Sequence, residues 1–298
     1  MLPVDGPGYS ICIRNFPMNL RTFYCPELGV AITGGTGFLG SRLISSFSSS
    51  ASNHAHFVRV ELTDVPPETK LVHCAASISA GPSCAVENIQ IDHFVFENCL
   101  SKNLKLIYCS GNNVYPLEKN CQVGGKLWAK DYYALSKITG EYLFQSDTRL
   151  RLIILRIGDV FGKGQRHGNM FKAVESAIQA RTSLKLYGEG AKIRNYIHID
   201  ELSHLIAFLV EKLVDHTEEP IILNGVVHEP ASVRQILEYV ANKMRLEISQ
   251  VLTSGCDSDP DIRTMVPFSH PSYARRFETF WDSLDHYMAT CTGSMEKC

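Results

Sequence analysis

Two stretches of the sequence combine residue types that can do chemistry at a spacing that a helix or a turn can use. The stretch DYYALSKITG contains Tyr133-x-x-x-Lys137. Residues four apart lie on one face of a helix, and an ammonium beside a phenol favours the phenolate. Such a pair can move a proton to or from a substrate hydroxyl near neutral pH. The sequence therefore predicts Tyr133 as an acid–base residue and Lys137 as its partner.

The second stretch, GVAITGGTGFLGSRL, places a glycine-rich turn between an apolar run and a helical pattern. Its G-x-x-G-x-x-G spacing follows the apolar run directly, and the helical pattern begins at Phe38. The free N–H groups and the dipole of such a helix favour a pyrophosphate. We expect a dinucleotide to be bound by the residues Gly34, Gly35, Thr36, Gly37, Phe38, Leu39 and Gly40.

The elements that must position these residues alternate along the chain. Continuous apolar runs separated by helical patterns are typical of a parallel sheet with helices on both faces. The fold class is therefore predicted to be α/β, with a doubly wound parallel sheet. The predicted strands are 29–33, 56–62, 70–75, 104–110, 151–157 and 220–225, and the predicted helices are 38–47, 84–101, 132–146, 168–180, 200–213 and 231–244.

The sequence does not decide which segment forms the second strand of the sheet. Only about 35 residues separate the glycine turn from the run KLVHCAA, and part of that space is the serine-rich SSFSSSASNHAH. The run HFVRVEL is therefore either the second strand or the third, with the second missing. An acid about 20 residues after the turn usually holds the adenosine ribose, and we expect Asp64 in this role, with Glu61 as the alternative. Arg59 beside the ribose would instead favour NADP.

Several blocks of the chain resemble the extended short-chain dehydrogenase/reductases, specifically the NAD-dependent sugar-nucleotide epimerases and dehydratases, over roughly residues 29–245. TGGTGFLG is similar to the family's TGxxGxxG, HCAA to its H-x-A-A, and YALSK to its Tyr-x-x-x-Lys. YCSGNNVYP resembles the strand with the catalytic Ser or Thr. LRIGDVFGKGQR resembles L-R-x-x-N-V-Y-G-P-G, and LYGEGAKIRNYIHIDEL resembles Y-G-x-G-x-x-x-R-D-[FY]-[IV]-H-V-D-D.

This resemblance implies a Rossmann sheet with a smaller, interlaced C-terminal substrate lobe. It also implies NAD as the cofactor, with NADP as the alternative, a nucleotide-sugar substrate, and a homodimer formed through the helices at 84–101 and 132–146. The expected domains are 28–163 with 196–228 for the dinucleotide, 164–195 with 229–298 for the substrate, and 1–27 as an extension of unknown role.

The resemblance also assigns roles to individual residues. Tyr133 would take the proton from a sugar hydroxyl while hydride leaves for the nicotinamide, and Lys137 would hold the nicotinamide ribose. Arg194 would clamp the substrate diphosphate through its planar fork of donors, whereas His198 is expected to hold a turn. The remaining assignments are Ala75, Ala76 and Asn88 at the cofactor, and Asn112 and Asp159 at the substrate. Arg263, Arg275 and Arg276 are further candidates for phosphate contact.

The chain departs from the family where the catalytic hydroxyl should stand. Gly111 occupies the position three residues before Val114, and the neighbouring Ser110 is expected to supply the hydroxyl. Loss of that donor would cost on the order of 10²-fold in rate. Asn112 and Asn113 stand where 4,6-dehydratases carry an Asp-Glu pair, and an amide cannot replace an acid or a base. The expected activity is a 4-epimerase or 4-reductase; the alternative is a catalytically degenerate nucleotide or nucleotide-sugar binding protein.

Composition argues against several other functions. Lys and Arg number 29 against 31 for Asp and Glu, and no run of like charge is present, so nucleic acid is not an expected partner. Charges interrupt the apolar stretches well short of a membrane span, and no secretory signal is predicted. We expect a cytoplasmic protein with no membrane partner. None of the ten cysteines forms a C-x-x-C pair, so neither a metal site nor a disulfide framework is predicted.

Overall fold

The computed structural model describes residues 20–50, 55–79, 81–165, 169–216, 219–251 and 261–293. Within these ranges no helix is both long and apolar enough to cross a membrane. The strands are β1 Thr22–Cys25, β2 Val30–Thr33, β3 Val58–Val60, β4 Lys70–His73, β5 Lys105–Gly111, β6 Leu152–Ile157, β7 Asp159–Phe161, β8 Leu184–Tyr187, β9 Ile193–Arg194, β10 Tyr196–His198, β11 Ile221–Gly225, β12 Ala231–Ser232, β13 Ile248–Val251 and β14 Ile262–Arg263. The α-helices are α1 Phe38–Ser50, α2 Pro82–Lys102, α3 Tyr132–Gln145, α4 Met170–Ala180, α5 Ile199–Phe208, α6 Val233–Met244 and α7 Phe280–Cys291.

A seven-stranded sheet forms the centre of the fold, in the order β11-β6-β5-β4-β2-β1-β3. From β11 to β2 all neighbouring strands are parallel. Every residue of β6, LIILRI, is buried, as expected for a strand with helices on both faces. The predicted doubly wound α/β fold is confirmed, and each predicted strand and helix is present close to its expected bounds.

Strand β1, which precedes the glycine turn in the chain, lies between β2 and β3. Strand β1 runs antiparallel to both neighbours, with Thr22 opposite Thr33 on one side and Val60 on the other. A short turn over residues 26–29 joins β1 to β2, a connection that only antiparallel strands can use. HFVRVEL is therefore the edge strand, and residues 22–25 stand where a second parallel strand was sought.

The three largest apolar clusters of the described residues hold the main elements together. One packs the face of the central sheet carrying Ile32 and Ile153 against α1 and α5. A second packs the opposite face against α2 and α3, with Phe144 of α3 buried completely. The third lies outside the central sheet and joins β8, α4, α6 and α7. The chain thus has a second core, formed by its later elements.

Helix α3 approaches α2 and β5 so closely that one position has no room for a side chain. A Cβ added at Gly140 would overlap the carboxylate of Asp92 and the hydroxyl of Tyr108. We expect Gly140→Ala to lower the free energy of unfolding by about 1–3 kcal/mol, although alanine itself favours a helix by about 1 kcal/mol. Urea unfolding of this variant checks the prediction.

Gly124→Ala is the matched control, because an added Cβ there meets nothing within 4 Å. Its free energy of unfolding should stay within about 0.5 kcal/mol of wild type. Equal stability of the Gly140→Ala variant and this control would contradict the close approach of α2, α3 and β5.

Candidate active site

The glycine turn connects β2 to α1 at the carboxyl edge of the sheet. Gly34 has a φ of +68°, and the N–H of Gly37 donates to its carbonyl at 2.8 Å. A Cβ at Gly34 would lie 2.8 Å from the backbone of Ala75, and a Cβ at Gly40 would overlap the Gly34 carbonyl. The turn is therefore packed against the end of β4, and Thr36 and Gly37 at its tip are exposed. The predicted turn residues and Ala75 lie together.

The adenosine side of this turn differs from the expected arrangement. Because β1 runs backwards, the residue at the carboxyl edge beside β2 is Arg21, whose carbonyl accepts the Gly34 N–H at 3.2 Å. The expected acid, Asp64, lies in an exposed 3-10 turn after the edge strand, and Glu61 is exposed just before it. Arg59 lies in the edge strand β3, opposite Phe23 of β1 in the strand register. Both acids thus come from the strand beyond β1, and the role of Asp64 stays a prediction.

Tyr133 and Lys137 lie on α3, which Asp131 caps by accepting the N–H of Ala134. The Lys137 ammonium is buried, donates to the carbonyl of Cys109 at 3.0 Å, and lies 5.9 Å from the centre of the Tyr133 ring. Burial lowers the pKa of Lys137, but the nearby Tyr133 and the carboxylate of Asp92 outweigh it, and the net pKa is raised. The structure therefore holds a charged Lys137 beside the Tyr133 ring.

Asn88 connects the cofactor edge to α3. Its side chain accepts the N–H of Ser77 and donates to the Ser77 carbonyl, and it also donates to the hydroxyl of Ser136 at 3.0 Å. Ser77 follows the predicted cofactor residues Ala75 and Ala76. The loop after β4 and the helix that carries Tyr133 are therefore fixed relative to each other by one buried amide.

A buried polar chain that sequence reasoning missed lies beneath Lys137. The Thr33 hydroxyl lies 2.5 Å from Nδ1 of His73, whose Nε2 lies 2.9 Å from Asp92, and the Tyr108 hydroxyl donates to the other oxygen of Asp92 at 2.7 Å. Burial lowers the pKa of His73, so a neutral ring with its proton on Nε2 satisfies both partners. Asp92 follows Asn88 by four residues on α2, which places both on one helix face.

The polar side chains at the carboxyl end of β5 have different partners. The Ser110 hydroxyl donates to Glu141 at 2.6 Å, and Glu141 also pairs with the buried Arg156. The side chain of Asn112 instead donates to Asp159 at 2.9 Å. The structure therefore brings the two predicted substrate residues, Asn112 and Asp159, together, while the Ser110 hydroxyl is engaged with a buried ion pair.

Two arginines lie on neighbouring short strands. Arg194 of β9 donates to the carbonyl and the carboxylate of Asp261, and it is paired in register with Arg263 of β14. Arg263 is buried, yet within the described residues its Nε and Nη2 atoms have no hydrogen-bond partner. Burial and the nearby Arg194 lower the pKa of Arg263. An unpaired buried guanidinium is costly, and an incoming anion would compensate it.

A groove lies beside these arginines. Its volume is about 860 Å³, and it is lined by α4, β8, the following turn and the start of α6. Asp261, the partner of Arg194, also lines it. His198 does not line this groove. Its Nδ1 accepts the N–H of Asp200 at the start of α5, which is the turn-holding role predicted for it.

The fold and the site together define a class of protein. A doubly wound sheet carries a glycine turn and a Tyr-Lys pair at the same edge, as in the extended short-chain dehydrogenase/reductases. The model of the NAD dependent epimerase/dehydratase family matches residues 30–224. The chain belongs to this family, and the resemblance predicted from its motifs is confirmed.

Similar proteins include an ADP-L-glycero-D-manno-heptose-6-epimerase from Brachyspira hyodysenteriae, 21% identical over 230 residues, which are 61% of this chain and 72% of that protein. Among solved structures, the UDP-glucuronic acid 4-epimerase from Bacillus cereus, in complex with UDP-glucuronic acid and NAD, has a TM-score of 0.70 at 17% identity. It covers 89% of this chain and 99% of its own. The dTDP-glucose 4,6-dehydratase from Bacillus anthracis, in complex with NAD, also has a TM-score of 0.70, at 15% identity, covering 90% and 97%.

Proposed function

We propose that the protein is an NAD-dependent oxidoreductase or epimerase that acts by hydride transfer on a nucleotide-activated sugar. One observation carries the proposal. Tyr133 lies one helical turn before Lys137, whose ammonium is buried against the Cys109 carbonyl. The glycine turn lies at the same carboxyl edge of the sheet, which is where doubly wound folds bind dinucleotides.

The residues present fit a dinucleotide. The turn from Gly34 to Gly40 has room for no side chain at these two positions, and its tip at Thr36 and Gly37 is exposed, so a pyrophosphate could approach the backbone there. We propose that this turn holds the pyrophosphate, that Asp64 holds the adenosine ribose, and that Lys137 holds the nicotinamide ribose, with Asn88 fixing the loop between them. NAD, when bound, would accept a hydride from the sugar carbon. NADP is the alternative, and Arg21, which lies beside the turn, and Arg59 of β3 are the cations that would favour its 2′-phosphate.

The proton of the sugar hydroxyl would be transferred by the protein's own residues. The Tyr133 phenolate would take the proton from the sugar hydroxyl, and the positive charge of Lys137 would stabilise the phenolate before that step. In a 4-epimerase the same phenol would return the proton after the hydride comes back to the other face of the sugar. In a 4-reductase it would donate the proton once.

The substrate diphosphate would bind to elements from the later part of the chain, where Arg194 and Arg263 lie. Arg263 supports this proposal because its guanidinium is buried with two unpartnered nitrogens in the described structure. A diphosphate would supply the missing acceptors. Arg194, engaged by Asp261, would reach a diphosphate by exchanging that carboxylate for it. The groove of about 860 Å³ beside them is large enough for a nucleoside.

The residues after β5 favour epimerisation or reduction over 4,6-dehydration. Dehydration needs an acid and a base at the sugar, and Asn112 and Asn113 are amides. The Asn112 amide is moreover bonded to Asp159. A degenerate binding protein is the second candidate, because Gly111 places no hydroxyl where a catalytic Ser or Thr is expected.

We also propose a homodimer through α2 and α3. These helices pack closely on each other, and their outer faces expose Val86, Leu135 and Tyr142. A second copy would cover these side chains and extend the pair to a bundle of four helices.

Tyr133→Phe should abolish turnover while leaving cofactor binding unchanged. The variant keeps the ring and removes only the hydroxyl that moves the proton, a loss of about 10²–10⁴-fold in kcat. The measurement is conversion of UDP-, dTDP- and ADP-sugars with NAD and with NADH, followed by NMR. Tyr132→Phe, at the exposed neighbouring position, is the control and should keep wild-type turnover. Full activity of Tyr133→Phe would remove Tyr133 from the mechanism, whereas no turnover by the wild type would contradict the enzyme and leave the binding protein.

Arg263→Met should separate stability from ligand binding. Removing an unpaired buried charge should keep or raise the melting temperature of the ligand-free protein. The affinity for UDP, dTDP or ADP should fall about 10- to 100-fold, because charge-assisted hydrogen bonds are lost. Titration calorimetry measures the affinity, and Arg151→Met, at an exposed position with no proposed role in binding, is the control. Unchanged affinity in the Arg263 variant would exclude its contact with the diphosphate.

A further inference from the structure

The last residue of β5 has no side chain because another residue occupies its space. An ideal Cβ at Gly111 would lie 2.7 Å from the amide oxygen of Asn113, closer than real Cβ contacts allow. The backbone does not require glycine here, since the φ of −139° and ψ of 161° are ordinary extended values. The Asn113 side chain therefore folds back over the place where a Ser or Thr side chain would begin.

The other polar side chains of this segment are already engaged. The Ser110 hydroxyl donates to Glu141, and the Asn112 amide donates to Asp159. The Asn113 side chain is half-buried and makes no hydrogen bond to another described residue. Its NH₂ group carries two donors. Asn113 is thus the residue of this segment whose side-chain donors are both left for a ligand, whereas the Asn112 amide is held by Asp159.

Its place in the fold brings Asn113 to the proposed reaction centre. The 3-10 turn Asn112–Val114 packs against α3, the helix of Tyr133. The strand immediately before it supplies the Cys109 carbonyl that holds Lys137 at 3.0 Å. The turn that carries Asn113 and the helix that carries Tyr133 and Lys137 therefore meet at the carboxyl end of β5.

We propose that Asn113 replaces the missing hydroxyl as the hydrogen-bond donor to the reacting sugar oxygen, an inference that rests on the proposed hydride transfer. In that step Tyr133 takes the proton of the C–OH group. The C–H bond breaks, its hydride passes to NAD, and the oxygen becomes that of a ketone. Asn113 keeps both its protons and stabilises the negative charge that develops on this oxygen. Gly111 and Asn113 then form a compensating pair, in which the glycine makes room for the amide.

Exchange of the two side chains tests this role. Asn113→Ala should lower kcat about 10²-fold, the usual cost of one such donor, with bound NAD and the melting temperature unchanged. Asn113→Asp, which keeps the shape and removes the donors, should lower kcat at least as much. Gly111→Ser alone should also be impaired, because its Cβ would push the flexible Asn113 amide away from its present place. The double variant Gly111→Ser with Asn113→Ala should recover at least tenfold over either single variant, because its hydroxyl enters the vacated space.

The outcomes separate this role from the proposed function. Wild-type kcat in Asn113→Ala or Asn113→Asp, beside an inactive Tyr133→Phe, would overturn the role of Asn113 and leave the enzyme standing. A fall in stability or cofactor content that accounts for the lost kcat would also overturn it, because a donor to the substrate affects neither. Absence of turnover in the wild type would contradict both, and turnover by the double variant alone would show that Asn113 does not replace the hydroxyl.

Discussion

The bond from the Lys137 ammonium to the Cys109 carbonyl is the interaction on which the candidate site depends. A buried ammonium is costly unless it is hydrogen-bonded and compensated by opposite charge. Here the carbonyl at the end of β5 supplies the bond, and the carboxylate of Asp92 supplies the charge. Asp92 is in turn fixed by His73 and Tyr108. The position of α3, and with it Tyr133, follows from these contacts between two strands and two helices.

At the same edge of the sheet, the antiparallel strand β1 lies where a second parallel strand is expected. Among the described residues no further strand lies between α1 and β3, and β1 fills the position beside β2 by a local antiparallel hairpin. This arrangement keeps the glycine turn in place, because β2 still pairs with β4 and Gly34 still packs on Ala75. It changes only the adenosine side, where Arg21 stands next to the turn. An NAD bound at the glycine turn would therefore meet Arg21 where a second parallel strand usually ends.

The sequence predicted what local pattern determines and missed what depends on distant partners. Continuous apolar strands, the glycine turn and the Tyr-Lys spacing are properties of neighbouring residues, and all of these elements are present. Strand β1 was missed because TFYC becomes a strand only through its pairing with β2 and β3. Asp92 looks like any helical carboxylate until Tyr108 and His73 are brought to it. Helix α7 had a local signal, since Thr279 and Asp282 form a capping box at its start.

Hydride transfer with NAD is tested first by denaturing the purified full-length protein and collecting the nucleotide that it releases. This nucleotide is identified by chromatography and absorbance, and its amount is expressed per chain. If the protein transfers hydride to NAD, we expect close to one NAD(H) per chain. If the cofactor is lost during purification, we expect a clear thermal stabilisation by added NAD. Release of NADP(H) would instead assign the altered adenosine side to the phosphorylated cofactor. No release, with no thermal shift from either NAD or NADP, would contradict hydride transfer in this protein.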